Sequence, residues 1–199
     1  MSLGVLGGAF NPPHIGHLVL AQEAAAQLGL DRVVLVPTGR APHKEIADDP
    51  GAATRLELTR VAARENELLD VSEYECARAT DGDEPSYTVR TLEHLSEQGE
   101  DLHLLMGADV AAHLDEWHQL ERVLELARLG IAARPGTAID DAEATLDRLG
   151  AADRADVLRM PELGVSSTRI RRRVTQGRPV RYLVTDGVLE LIEAEGLYR

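Results

Sequence analysis

The stretch SLGVLGGAFNPPHIGHLVLAQEAAAQL, residues 2–28, decides the fold class of this chain. Residues 2–6 form a short apolar run that predicts a buried strand, and residues 16–28 carry apolar side chains at helical spacing and end at Gly29. The loop between them, GGAFNPPHIGH, contains two prolines and two histidines three residues apart. A strand that passes through a loop into a helix is the beginning of a βαβ unit.

The same alternation continues along the chain. Further strands are predicted at residues 32–37, 69–76, 102–106, 129–133 and 157–160, and helices at 52–64, 87–98, 114–126 and beyond Ser166. Strands separated by helices of this length join through right-handed crossovers into a parallel sheet. We therefore expect an α/β fold: a doubly wound, Rossmann-like sheet of about five or six strands with helices on both faces.

The domain organisation follows from the length of 199 residues and the absence of a linker pattern. We expect one domain over residues 1–199, with an α/β core to about residue 164 and a small helical extension over about 165–199. The single cysteine, Cys76, is interpreted as a small apolar residue in a strand of a protein from a reducing compartment.

Composition limits the partners. The formal net charge of −13 argues against nucleic-acid binding, which needs clustered Lys and Arg, but allows a phosphorylated ligand in a local cationic pocket. No apolar run approaches the roughly 20 residues of a membrane span. We expect a cytoplasmic protein that binds no membrane, and homo-oligomer formation stays open.

Three kinds of site compete for the loop at residues 7–17. A zinc site would need further ligands that no Cys pair or HExxH helix supplies, and a structural turn gives no reason for two histidines. A phosphate site explains every feature: glycines allow close backbone approach, a helix N-terminus presents free N–H groups, and His14 and His17 lie on one face. The pattern favours the phosphate site.

Two other stretches favour anion binding. Lys44, in APHK after the second strand, is the only lysine of the chain and suits a point charge for a polyphosphate, although most loop lysines are merely solvated. In GVSSTRIR (164–171), Ser166 or Ser167 can cap a helix whose N–H groups and hydroxyls form a second anion site, with Arg171 one turn further on. An ordinary capped helix with a solvated basic face is the alternative.

Together, His14-Ile15-Gly16-His17 and Ser166–Arg171 resemble the HxGH and SSTxxR motifs of one nucleotidyltransferase superfamily. Within it the whole chain resembles the bacterial nicotinate-mononucleotide adenylyltransferases, through GGAFNPPHIGH, PSYTVRTLEHL (85–95), MGAD (106–109), Trp117 and ARPG (133–136). The resemblance implies transfer of AMP from ATP to nicotinate mononucleotide by direct in-line attack, a step of NAD biosynthesis. Mg²⁺ would be bound mainly through the ATP phosphates, so no metal-ligating residues are expected.

The resemblance also implies residue roles. The triphosphate would be held by the catalytic residues His14, His17, Lys44 and Arg171. ATP would further contact Gly8, Ala9, Phe10, Gly16, Asp109, Ser166, Ser167 and Thr168. Nicotinate mononucleotide would contact Thr88, Trp117 and Arg134.

Alternatives remain at this stage. A sibling adenylyltransferase acting on phosphopantetheine or another phosphorylated acceptor would keep both phosphate motifs. A nucleotide-sensing module would bind ATP without turnover. On sequence alone Asp109 is equally well a helix N-cap, and Trp117 could be a core residue.

Overall fold

The computed structural model describes residues 1–42, 46–81, 85–133 and 139–199. The strands are β1 (Ser2–Gly8), β2 (Arg32–Pro37), β3 (Leu69–Val71), β4 (Asp101–Gly107), β5 (Ala127–Ala133) and β6 (Ala155–Arg159). The helices are α1 (Ile15–Leu28), α2 (Ala52–Ala63), α3 (Tyr74–Asp81), α4 (Thr88–Ser96), α5 (Ala108–Ala111), α6 (Leu120–Leu126), α7 (Ile139–Arg148), α8 (Ser167–Thr175) and α9 (Asp186–Ala194). Strands and helices alternate as the sequence predicts.

The strands form one six-stranded parallel sheet in the order β3-β2-β1-β4-β5-β6, which confirms the predicted fold class. β1 pairs with β4 in the register Leu3↔Leu102, and β4 pairs with β5 in the register Leu104↔Leu129. The order reverses beside β1, because the chain goes from β1 to β2 and β3 on one side and then to β4 on the other. Ligands of open α/β sheets bind at such a switch point, beyond the carboxyl ends of the strands.

The chain divides into two compact units. The first comprises Met1–Gly7, Leu20–Val34 and Tyr87–Glu162, and Leu104, Leu129 and Ile131 are among its buried residues. The second comprises Gly8–Val19, Leu35–Ser86 and Leu163–Arg199. Its apolar cluster is built from α2, α8, α9 and the segments beside them and includes Leu58, Val165, Ile170, Val188 and Ile192. The assignment of the whole chain to one domain stays a prediction.

The structure corrects the strand predicted at residues 69–76. β3 ends at Val71, and Cys76 lies buried in α3 instead of in a strand. The physical reason lies at Ser72, whose hydroxyl accepts a hydrogen bond from the Tyr74 N–H at 3.3 Å and turns the chain into the helix. Short polar side chains that bind nearby backbone N–H groups favour such turns over a strand.

The helix predicted at residues 114–126 is interrupted. A 3₁₀ turn at Leu114–Glu116 is followed by Trp117 in an extended conformation and by Gln119 at φ 53°, and only then does α6 begin. A left-handed residue cannot continue an α-helix, so this segment is mostly helical, as the sequence predicts, but does not form one continuous helix. Within the described residues, no helix has the length and apolar character needed to cross a membrane.

Candidate functional site

The loop after β1 belongs to the second unit and brings the two histidines together. The His14 and His17 rings stack with centroids 3.7 Å apart and an interplanar angle of 19°, and the edge of Phe10 lies 4.9 Å from the His17 ring. The backbone N–H of His14 donates to His17 Nδ1 at 3.1 Å. An N–H can only donate, so Nδ1 is the acceptor, and the neutral His17 ring carries its proton on Nε2.

Gly16 makes this stacking possible. A Cβ at Gly16 would lie 3.0 Å from His14 Nδ1 and 3.0 Å from Val165 Cγ1, so any larger residue would push the ring or the apolar cluster away. The glycine in His-Ile-Gly-His is therefore explained by close packing against His14 within the same motif.

The second motif lies at the start of α8. Ser166 is the N-cap, and its hydroxyl accepts from the Arg169 N–H at 3.2 Å, as one of the two predicted caps requires. The Ser167 hydroxyl donates to the carbonyl of Pro12 at 2.8 Å, which joins the helix start to the histidine loop. The N–H groups of Ser167 and Thr168, in the first turn of α8, have no partner within the helix. The structure thus brings both predicted motifs into one place.

Arg171 reaches back across this junction. Its Nη1 donates to the Asn11 carbonyl at 2.9 Å, and its Nε pairs with Asp48 Oδ2 at 3.1 Å. The Arg171 side chain is 11% exposed, whereas that of Asp48 is 70% exposed. The almost buried guanidinium of Arg171 is therefore paired with the carboxylate of Asp48, which is mostly exposed to solvent.

Arg55, on α2, is a residue of this region that was not predicted from the sequence. This side chain is fully buried, and its guanidinium donates to the carbonyls of Ala9, Thr38 and Gly39 while Nε pairs with Asp49 at 2.8 Å. One arginine thereby joins the loop after β1 to the loop after β2. The available signal was its position: Leu58 and Ala62 follow it by three and seven residues, so helical spacing places Arg55 on the buried face of α2.

Asn11 and Tyr198 were not predicted from the sequence either. Asn11 is 2% exposed and follows Phe10, which has φ 47° and is 1% exposed. The Tyr198 hydroxyl donates to Asn11 Oδ1 at 2.6 Å. The two residues are 187 positions apart, so neither motif searching nor periodicity could have paired them.

The predicted acceptor residues Thr88 and Trp117 belong to the first unit. Thr88 is the first residue of α4, and its neighbour Tyr87 packs its ring 4.4 Å from that of His118, the neighbour of Trp117. This contact brings the two predicted pyridine-binding segments together. Trp117 is half-buried and is absent from the buried core, so the core alternative is not supported.

Asp109 lies in the first turn of α5, directly after β4 and in the first unit. The N-cap of that helix is Gly107, which has no side chain, so the alternative that Asp109 is the cap is wrong. Asp109 is exposed, and Oδ1 turns back over Gly107, where a Cβ would collide with it. The carboxylate therefore stands at the carboxyl end of a strand, available to a ligand.

Lys44 and Arg134 lie outside the described residues, so their predicted roles stay predictions. Within the described part of the chain, no group of three or more His, Cys, Asp and Glu side chains could hold a metal ion. The polar side chains at residues 10–17 and 166–171 are one amide, two imidazoles, three hydroxyls and two guanidinium groups. All of them can donate a hydrogen bond to an anion, and none is a carboxylate.

Comparison with known proteins gives a consistent result. The profile of the cytidylyltransferase-like family matches residues 5–173. Proteins named "probable nicotinate-nucleotide adenylyltransferase" from Roseiflexus sp. (strain RS-1) and Exiguobacterium sibiricum are each 42% identical to this chain, covering 99% and 100% of it and 98% and 99% of their own lengths.

Among solved structures, the fold is similar to that of the Plasmodium falciparum nicotinic acid mononucleotide adenylyltransferase complexed with NaAD. The TM-score is 0.78 at 15% identity, and the match covers 99% of this chain and 97% of that one. At this identity the likeness concerns the fold alone.

Proposed function

Because the chain belongs to the cytidylyltransferase-like family and, within it, to the nicotinate-nucleotide adenylyltransferases, we propose that it transfers AMP from ATP to nicotinate mononucleotide. The products would be nicotinate adenine dinucleotide and pyrophosphate. Family membership confirms the resemblance noted in the sequence. The observation that carries the proposal is the junction of the stacked His14–His17 pair with the start of α8.

The reaction needs no protein nucleophile. A phosphate oxygen of the mononucleotide attacks the α-phosphorus of ATP, and the bond to the bridging oxygen of pyrophosphate breaks. The protein has to hold the triphosphate in line and stabilise the negative charge that develops on the phosphoryl oxygens and the leaving group. The donors assembled here are suited to that task.

His17 has the clearest role. Because its Nδ1 accepts from the His14 N–H, the neutral ring carries its proton on Nε2, and we propose that this Nε2–H donates to a phosphate oxygen of ATP. The His14–His17 stack would hold the donor in place before ATP arrives.

The first turn of α8 supplies the second set of donors. With Ser166 engaged as N-cap, the N–H groups of Ser167 and Thr168 and the positive end of the helix dipole would bind the β- and γ-phosphates. Arg171 would join them from one turn further on. Gly8, Ala9, Phe10 and Gly16 would line the phosphate path through their backbone.

Mg²⁺ fits this site only as a companion of ATP. The side chains here are donors to anions, so the ion would be held by phosphate oxygens and would neutralise part of their charge. The protein residues would bind the nucleotide with its ion and keep the phosphates aligned.

The ribose and pyridine roles belong to residues of the first unit. Asp109 would accept hydrogen bonds from ribose hydroxyls, Trp117 would stack on the pyridine ring, and the helix start at Thr88 would bind the nicotinate carboxylate. Lys44 would add a point charge at the polyphosphate, and Arg134 would help hold the mononucleotide.

The test is pyrophosphate release from ATP with Mg²⁺, comparing nicotinate mononucleotide, nicotinamide mononucleotide and phosphopantetheine as acceptors. We expect fast release with the first, slower release with the second and none with the third. The His17→Ala variant should lose about 10²-fold or more in kcat with little change in KM for the acceptor. Activity only with phosphopantetheine would favour the sibling transferase, and ATP binding without release would favour a sensing module.

A further inference from the structure

Tyr198 touches the phosphate site from outside both of its motifs. Its hydroxyl donates to Asn11 Oδ1 at 2.6 Å, and burial raises the pKa of this hydroxyl above its usual range. The tyrosine therefore keeps its proton over the whole pH range in which the protein would work. It is a permanent donor to Asn11.

Asn11 is the point at which several parts of the site meet. Its side-chain amide donates to the carbonyls of Ala47 and Asp48 at 2.8 Å and 3.4 Å. Its backbone carbonyl accepts from Arg171 Nη1 at 2.9 Å. The orientation of the amide is determined by these partners, because the two carbonyls require the NH₂ group and the Tyr198 hydroxyl then meets the oxygen. Asn11 is thus held on three sides.

The backbone of Tyr198 is tied to α8 as well. Its carbonyl accepts from Thr175 Oγ1 at 2.9 Å. The Thr175 hydroxyl also lies 3.2 Å from the carbonyl oxygen of Arg171. Tyr198 and Leu197 pack against the apolar cluster that contains Ile170, the residue before Arg171. Tyr198 therefore has one fixed end on the helix that carries Arg171 and the other on the loop that carries the histidines.

We propose that Tyr198 is a positioning residue for the nucleotide-phosphate site: through Asn11 it holds the histidine loop and Arg171 in the geometry that binds the ATP phosphates. The inference rests on the proposed function. A displacement of about 1 Å in a group that aligns a reacting phosphate can cost on the order of 10²-fold in rate, so one distant hydroxyl suffices to matter. Tyr198 itself touches neither substrate nor reacting atoms.

The experiment is Tyr198→Phe, with Tyr182→Phe as the matched control. Both changes delete one phenolic hydroxyl, but Tyr182 is 81% exposed. For Tyr198→Phe we expect KM for ATP, and the Kd for ATP measured by calorimetry without acceptor, to rise about tenfold, while KM for nicotinate mononucleotide stays within about twofold. Tyr182→Phe should change none of these values. Loss of folded protein alone would lower kcat and leave both KM values and the ATP Kd unchanged, and that result would overturn the inference.

A double-mutant cycle tests the route through Asn11. If Tyr198 acts through this residue, Tyr198→Phe has little further effect on the ATP Kd once Asn11→Ala is present. Equal effects of Tyr198→Phe in both backgrounds would overturn the route. The calorimetric values separate this inference from the proposed function, because they need no acceptor. A wild-type protein that binds ATP but releases no pyrophosphate contradicts the function and still tests the role of Tyr198.

Discussion

Asp48 is the side chain that a phosphate would have to replace. Its carboxylate pairs with Arg171 at 3.1 Å, although the backbone of Asp48 adopts the uncommon φ of 51°. A carboxylate on the guanidinium competes with any other anion, and because the Asp48 carboxylate is 70% exposed, solvent screening limits the pair to about 1 kcal/mol or less. If Arg171 binds phosphate as proposed, Asp48 would weaken that binding to a small and measurable extent.

We expect Asp48→Asn to lower KM for ATP about threefold, because the competing charge is removed while a pair of this kind contributes under about 1 kcal/mol. Asparagine tolerates the left-handed backbone at this position, so the loop should keep its shape. Steady-state kinetics measure the change. The control is Asp186→Asn, which removes an equally exposed carboxylate from the Arg181 pair and should leave KM for ATP unaltered. An increase in KM for ATP in Asp48→Asn would contradict the competition between the Asp48 carboxylate and a phosphate for Arg171.

At the scale of elements, α2 contributes a single buried cation to the loops beside it. Arg55 is 0% exposed, and its guanidinium binds three carbonyls and Asp49 in one plane. Such a fork suits arginine, because lysine presents its donors at one point. The loops after β1 and β2 depend on this residue for their relative position.

Arg55→Met should reduce the free energy of unfolding by about 3 kcal/mol or more, since buried carbonyls would lose their donors. Urea denaturation measures this loss of unfolding free energy. Arg60→Met, on the same helix, is the matched control: Arg60 is 47% exposed, and its pair with Glu73 should contribute under about 1 kcal/mol. Arg55→Lys should recover only part of the loss. Equal losses of unfolding free energy in Arg55→Met and Arg60→Met would contradict the role of Arg55 in joining the two loops.

At the scale of the whole molecule, a buried thiol and a half-buried phenol make stability sensitive to alkali. Burial raises the pKa of the Cys76 thiol above its usual 9.0, and burial also raises that of the Tyr198 hydroxyl. Both groups ionise first in the unfolded chain, so above the unfolded pKa values the unfolded state holds fewer protons than the native one. Stability is then complete below about pH 9 and falls as the pH rises further.

Thermal unfolding followed between about pH 8 and pH 11 tests this dependence. We expect Tm to decline with pH in the wild-type protein and to decline less steeply in Cys76→Ala, because one of the two ionising groups is gone. The comparison uses slopes, since the substitution itself also lowers stability at every pH. A Tm that is constant or rises over this range would contradict the raised pKa values of Cys76 and Tyr198.

The sequence by itself determined the succession of strands and helices, the parallel sheet and both phosphate motifs. These features are local: apolar periodicity identifies an element, and glycine, proline and capping residues mark its ends. Ser166 is an example of such a local feature, because its side chain caps α8 by accepting from the N–H three residues further on. The incorrect strand prediction at residues 69–76 shows where local patterns fail. β3 has only three residues and is followed by a polar turn, so the segment is too short for its periodicity to define a strand.

Only the tertiary structure decided what supports the site. Arg55, Asn11 and Tyr198 act through partners far away in the chain, and their own neighbours in sequence look like those of any surface or core residue. Gly16 likewise could be recognised in its motif, but the reason for it is the ring of His14 packed against it. Hydrogen bonds and close contacts between distant segments exist only once the chain has folded, and it is these contacts that bring the two sequence motifs into one place.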